Sequence, residues 1–178
     1  GVTATKAATQ VDDAAPIELV AEPGSDFVSR GAHKLIGALD AFGLDVRDAN
    51  ALDAGASTGG FTQVLLQRGA RHVIAVDVGY GQLAWSLRSD DRVTVLERTN
   101  VRHLDASRDE LPYLPDLVVA DLSFISLTAV LPALVIVAAP AASLVLMVKP
   151  QFEVGRAQIG KGGIVRDRQA VADAVARI

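Results

Sequence analysis

The chain has no cysteine, which excludes disulfides and thiolate metal sites alike. Histidine is nearly as scarce. His33, His72 and His103 stand singly with no HxxxH pairing, so no metal site is expected. Aromatic residues make up only 4% of the chain, and Ala, Val and Leu carry its apolar half instead. That composition suits buried parallel strands covered on both faces by helices. No charged segment followed by an apolar one opens the sequence, so a cytoplasmic location is expected. The net charge of -4 is unevenly placed, because residues 1–28 carry one lysine against five acids and account for all of it. The remainder is neutral with a basic end, which permits nucleic-acid binding without announcing it.

The length of 178 residues suits one domain with a sizeable core. Residues 1–16 are polar and Ala/Thr-rich and read as a tail or linker, and 17–20 as a short strand. A helix is expected over 30–42, with Leu35, Ala38, Leu39 and Phe42 on its apolar stripe and Gly43 as its stop. Strands follow at 49–54, 72–77, 93–96, 116–121 and 143–148. Helices are expected at 59–68, 82–89 and 126–138, then a polar glycine-rich loop over 151–163 and a helix from about 166. Regular β/α alternation of this kind argues an α/β fold with a doubly wound, mostly parallel sheet.

Residues 122–148 contain no charge, a run long enough to cross a bilayer. Pro132 and Pro140 divide it, and Ser123, Ser126 and Thr128 dilute it. A buried helix, turn and strand fit better, and no stable membrane insertion is expected.

The segment NALDAGASTGGFTQVLLQ (50–67) reads as strand, glycine turn and helix, where open α/β sheets hold ligands. Three chemistries can use it. A dinucleotide site wants GxGxxG, but Ser57 stands where the second glycine belongs. Gly55 to Gly59 also spells GxSxG, the nucleophile elbow of a serine hydrolase, yet no histidine follows His103 to complete the order Ser, acid, His. S-adenosylmethionine needs a close backbone turn and an acid at the next strand end for its ribose, and Asp77 lies 22 residues past Gly55. Later strand ends then bring Asp121 and Lys149, a carboxylate and an ammonium, to the same edge of the sheet.

Five stretches in order carry a resemblance: VSRGAHK (28–34), LDAGASTGGFT (52–62), DVGYGQLAWSLR (77–88), VVADLSFISL (118–127) and VKPQFEVG (148–155). Together they resemble the TlyA (haemolysin A) family, ribosomal-RNA 2'-O-methyltransferases of the FtsJ-like group. The resemblance implies a Rossmann-like class I S-adenosylmethionine-dependent methyltransferase fold over 26–178. Residues 1–25 would be the remnant of an N-terminal S4 RNA-binding domain and its linker, and the sheet would be truncated at both ends. It implies methyl transfer from S-adenosyl-L-methionine to a ribose 2'-hydroxyl, with cytidine as the expected nucleotide, and ribosomal RNA or ribosomal subunits as partners. A Lys-Asp-Lys-Glu tetrad is implied as well: Lys34, Asp121 and Lys149 match its first three members. The glutamate would lie beyond Ile178, since Glu153 is too close to Lys149, and the fragment alone would be weak or inactive. Cofactor contacts are implied for Asp53, Gly55, Ala56, Ser57, Gly59, Gly60, Phe61, Asp77, Val78, Thr99, Asn100 and Asp121. Asn100 stands where many methyltransferases carry an acid.

Ribose hydroxyls are weak nucleophiles and a sulfonium methyl is an activated electrophile, so catalysis rests on in-line placement and removal of one proton. Lys149 is assigned the role of base or alkoxide stabiliser, Asp121 that of orienting it, and Lys34 that of placing ribose or phosphate. Arg30, Lys34, Arg156 and Lys161, with Arg166 and Arg168, are candidates to track RNA phosphates. Tyr80 and Trp85 are candidates for stacking on a base, although Trp85 is expected in the core. Membrane-active haemolysis and serine hydrolysis remain the rival readings. A fluorophosphonate probe separates the last of these: no labelling of Ser57 is expected, and stoichiometric labelling establishes the hydrolase.

Overall fold

The computed structural model describes Gln10, residues 26–105 and residues 111–178. The expected tail, the strand at 17–20 and the RNA-binding remnant over 1–25 lie outside the described residues, Gln10 apart. Five strands form one sheet: β1 (Asn50–Ala54), β2 (His72–Val76), β3 (Val93–Leu96), β4 (Leu117–Ala120) and β5 (Ser143–Leu146). Their order is β3-β2-β1-β4-β5, and every pairing is parallel.

Alternation along the strands sorts the core into two layers. On one face Ala51, Val73, Ala75 and Val119 pack with Leu35 and Leu39 of α1 (Ala32–Phe42) and with Val64 and Leu65 of α2 (Gly60–Gln67). On the other face Leu52, Ile74, Val76 and Val118 pack with Val130, Leu134 and Val137 of α4 (Leu127–Val137). Because β1, β2 and β4 are covered twice, they read in sequence as nearly unbroken apolar runs. The chain winds from β1 outward to β3, then returns to build β4 and β5 on the other side. Such a reversal opens a cleft at the carboxyl ends of β1 and β4.

Several expectations meet corrections at element ends. Phe42 does not complete the α1 stripe and is 69% exposed. Gly43 adopts a left-handed φ of 62°, turning Leu44 back onto the core, with the Leu44 N–H bonded to Leu39 O. The helix expected over 82–89 contracts to α3 (Trp85–Arg88), because the amides ahead of it are bonded elsewhere: Gly81 N–H to Glu97 Oε1 and Ala84 N–H to Thr58 O. Trp85 is not in the core but exposed, and Leu83 and Leu87 fill that place. The loop expected over 151–163 begins inside a helical turn, α5 (Pro150–Glu153), and contains a 3-10 turn at Arg156–Gln158. Helix α6 (Arg168–Ala176) follows, capped by Asp167.

The uncharged run over 122–148 is used for α4, a turn at Ala139 to Ala142, and β5. Among the described residues no helix is long and apolar enough to cross a membrane. A packed α4 has a sided response to truncation. Leu134→Ala, at a fully buried position, is expected to cost about 2–5 kcal/mol in urea denaturation. Ile136→Ala, on the exposed side, is expected to stay within about 0.5 kcal/mol. Equal costs at both positions would contradict the packing described.

Candidate active site

The cleft is shaped by the turn after β1. Gly55 has φ 85°, and a Cβ there would lie 3.0 Å from Leu122 Cδ2 and 3.3 Å from Asp121 O, so only glycine lets the turn approach the end of β4 this closely. The Gly55 and Ala56 N–H groups both donate to Val76 O, at 2.8 and 3.1 Å. Ser57 is held at φ 50° and donates its N–H to Asp77 Oδ2 at 2.8 Å. Gly59 has φ 101°, and a Cβ there would collide with Leu87. The turn is thus fixed by strain and by Asp77, whose other oxygen accepts the Gly79 N–H at 2.7 Å.

A cavity of about 500 Å3 opens beside this turn. Gly55, Ser57, Asp77, Val78, Gln82, Asn100 and Val101 form one wall; Asp121, Leu122, Ser123, Phe124, Ile125 and Val130 form the other. Of the residues expected to meet a cofactor, Gly55, Ser57, Asp77, Val78, Asn100 and Asp121 line this cavity. Asp53, Ala56, Gly59, Gly60, Phe61 and Thr99 do not. They shape it from behind: Thr99 donates its N–H to Asp77 O at 3.0 Å, and Gly60 gives room to Ser29 and Ala32 at the start of α1.

Asp121 sits between two ammonium groups. Lys34 Nζ lies 2.8 Å from its Oδ2 and Lys149 Nζ 2.6 Å from its Oδ1. Lys149 also donates to Ser123 Oγ at 2.9 Å. Burial pushes the Asp121 carboxyl up, but hydrogen bonds and charge from Lys149 and Lys34 outweigh it and hold the group below the usual carboxylate range. Lys34, at 46% exposure against 16% for Lys149, is the ammonium more open to a large substrate.

Asp53 is held in the opposite way. It is 1% exposed, accepts the Thr62 hydroxyl at 2.7 Å through Oδ2, and has no hydrogen-bond partner at Oδ1. Burial pushes its carboxyl up to about 7, and the charges of Asp121 and Asp77 add to the rise.

Ser57 Oγ faces Gln82 Oε1 at 3.3 Å rather than an imidazole. His72 is engaged by the Tyr113 hydroxyl, and His33 packs edge-on to Phe27. Ser123 receives Lys149, while Ser126 caps α4 by accepting the Thr128 N–H at 3.2 Å. Arg30, Arg156 and Lys161 are exposed and lie off the cavity wall. Sequence reasoning missed Gln82, Val101, Leu122, Phe124, Ile125 and Val130. The available signal was position, since residues just past the end of a central parallel strand line its cleft. Phe124, at φ 64° and 91% exposed, stacks at 5.4 Å on Phe152.

Comparison with known proteins agrees with this geometry. The family model for FtsJ-like methyltransferases matches residues 27–178. Over 175 residues the chain is 59% identical to the 16S/23S rRNA (cytidine-2'-O)-methyltransferase TlyA of Mycobacterium tuberculosis, covering 98% of this chain. A solved structure from Streptococcus thermophilus, described as a candidate hemolysin, superposes with a TM-score of 0.82 at 48% identity over 85% of this chain. The chain spans 65% of the length of the first and 55% of the second. An S-adenosylmethionine dependent methyltransferase of Mesorhizobium loti shares the fold alone, with a TM-score of 0.56 and 17% identity over 79% of this chain and 78% of that one. The architecture is accordingly the Rossmann-like one of S-adenosylmethionine-dependent methyltransferases.

The Asp53 carboxyl generates a pH prediction. Its proton is kept by the folded protein up to about 7 but is lost near 3.8 when unfolded, so stability falls as pH rises through that window. Asp53→Asn removes the effect. Relative to the variant, the wild type is expected to lose roughly 2–4 kcal/mol between about pH 4 and 7.5. Chemical denaturation of both proteins across that range measures it, and a constant difference would contradict the assignment.

Proposed function

Because the chain belongs to the FtsJ-like methyltransferase family, we propose that it transfers a methyl group from S-adenosylmethionine to a ribose 2'-hydroxyl of ribosomal RNA, at cytidine. The observation that carries the reading is Asp121 between Lys34 and Lys149, on the wall of a cavity whose other wall is the glycine turn and Asp77. The printed activity of the Mycobacterium tuberculosis relative supports the substrate. Residues 26–178 are taken as the methyltransferase domain, working in the cytoplasm on ribosomal RNA or ribosomal subunits.

The residues present fit the cofactor. Gly55 allows backbone approach, Asp77 keeps lone pairs free beyond its two amide contacts for ribose hydroxyls, and Val78, Asn100 and Val101 offer an apolar and amide lining for adenine. Bound there, S-adenosylmethionine supplies an electrophilic sulfonium methyl. As an ammonium fixed by Asp121 and Ser123, Lys149 is in position to stabilise charge developing on the 2'-oxygen, and it can take up the hydroxyl proton only after giving up one of its own. Asp121 holds both lysines and itself stays ionised. Lys34 meets the ribose or its phosphate, and the exposed Arg30, Arg156 and Lys161 add contacts to the RNA backbone without sequence choice.

The test uses the full-length protein, ribosomal subunits and radiolabelled S-adenosylmethionine. Lys149→Ala and Asp121→Asn are each expected to lower kcat by about 10²–10⁴-fold. Asp77→Ala is expected to weaken cofactor binding by about 10-fold or more in calorimetry, having removed charge-assisted hydrogen bonds. Full methyl transfer by Lys149→Ala would sink the reading.

A further inference from the structure

Of the charged side chains, only Asp53 and Glu153 are buried among the described residues. Glu153 takes no part in the cavity. It ends α5, the helical turn that begins immediately after Lys149, and its side chain reaches across to the start of α4. There Oε1 accepts the Leu127 N–H at 2.8 Å and Oε2 accepts the Ser126 hydroxyl at 2.5 Å. Its own carbonyl accepts from Arg177 Nη1 at 3.0 Å, tying α6 to the same point.

Ser126 caps α4 by accepting the Thr128 N–H, and Glu153 caps the buried Leu127 N–H that Ser126 leaves open. This second cap comes from another element, since the first turn of α4 carries no acid of its own. What Glu153 adds is a link between two segments. The segment after β4 carries Asp121 and Ser123 and ends at Leu127; the segment after β5 carries Lys149 and ends at Glu153. They meet at the cavity, through Lys149 with Asp121 and Ser123, and again behind it, through Glu153 with Ser126 and Leu127. The two meetings close a rigid frame, and the Phe124–Phe152 stack crosses it.

We infer that Glu153 is a positioning residue for methyl transfer: by locking α5 onto the start of α4 it fixes Lys149 Nζ against Asp121. The inference rests on the function proposed above for Lys149. It differs from a purely structural role, which would lower stability and cofactor affinity together. In-line transfer is sensitive to displacements of about 1 Å, which can cost on the order of 100-fold.

The experiment measures full-length Glu153→Ala, Glu153→Gln, Lys149→Ala and the double variant Glu153→Ala/Lys149→Ala. Glu153→Ala is expected to lower kcat by on the order of 100-fold while the S-adenosylmethionine Kd stays within about twofold. Glu153→Gln is expected to recover most of the loss, since its amide can accept from Leu127 and donate to Ser126. The double variant should lose no more than Lys149→Ala, because the two act as one unit. Acetylation of Lys149, followed by mass spectrometry without any RNA, should be several-fold faster in Glu153→Ala. Unchanged kcat, multiplied losses in the double variant, or unchanged acetylation would each overturn the inference. If Glu153→Ala does not fold, Ser126→Ala severs half of the link and enters the same cycle. A wild type that methylates no RNA would instead refute the proposed function, while the acetylation rates still decide whether the frame holds Lys149.

Discussion

A single carboxylate between two ammonium groups ties the site together. Asp121 ends β4 at the centre of the sheet, where burial alone would favour its neutral form, and Lys34 and Lys149 keep it ionised. The three side chains come from three separate elements, α1, β4 and the end of β5, so each element must be docked before the charges balance. Two cations meet one anion at this point, and Asp77 places a second carboxylate elsewhere on the cavity wall, so the charges of the cleft are paired in number.

The carboxyl ends of the three central strands carry one acid each, or one just inside, and the protein treats them in three ways. Asp121 is met by ammonium groups. Asp77 is met by backbone amides, which spend its inward lone pairs on shaping the turn. Asp53 is met by the Thr62 hydroxyl and backbone rather than by a cation, and burial pushes it toward neutrality. The residue type is the same and the strand positions nearly so; the partners differ, and so does the environment of each carboxyl.

Much of this was legible in the sequence. The strands were, because double coverage makes β1, β2 and β4 mostly apolar, and the glycine turn was, because Gly55 and Gly59 mark backbone that few other residues adopt. Asp77, Asp121 and Lys149 could be found from strand ends alone. Lys34 could not. On its own helix it is one polar residue among others, and only the resemblance singled it out. Trp85 and Phe42 were misread because hydrophobicity does not say which of several neighbouring apolar groups reaches the core; Leu83, Leu87 and Leu44 do. The left-handed backbone at Ser57 and Phe124 carries no glycine to announce it. Glu153 is excluded from the tetrad by its closeness to Lys149, and the sequence offers no other role for it, since its contacts with Ser126 and Leu127 join residues that nothing in the local pattern connects.

The delivery of Lys34 by α1 also sets how much chain must be closed to assemble the site. Lys34 and Asp121 are 87 residues apart in the chain, whereas Lys149 and Asp121 are 28 apart. Closing the longer loop costs only about 1 kcal/mol more in chain entropy, so distance is a weak obstacle to the final state. It is a stronger obstacle to speed, because folds rich in pairings between remote segments form more slowly. The arrangement of the three side chains therefore depends on the docking of both α1 and the segment after β5.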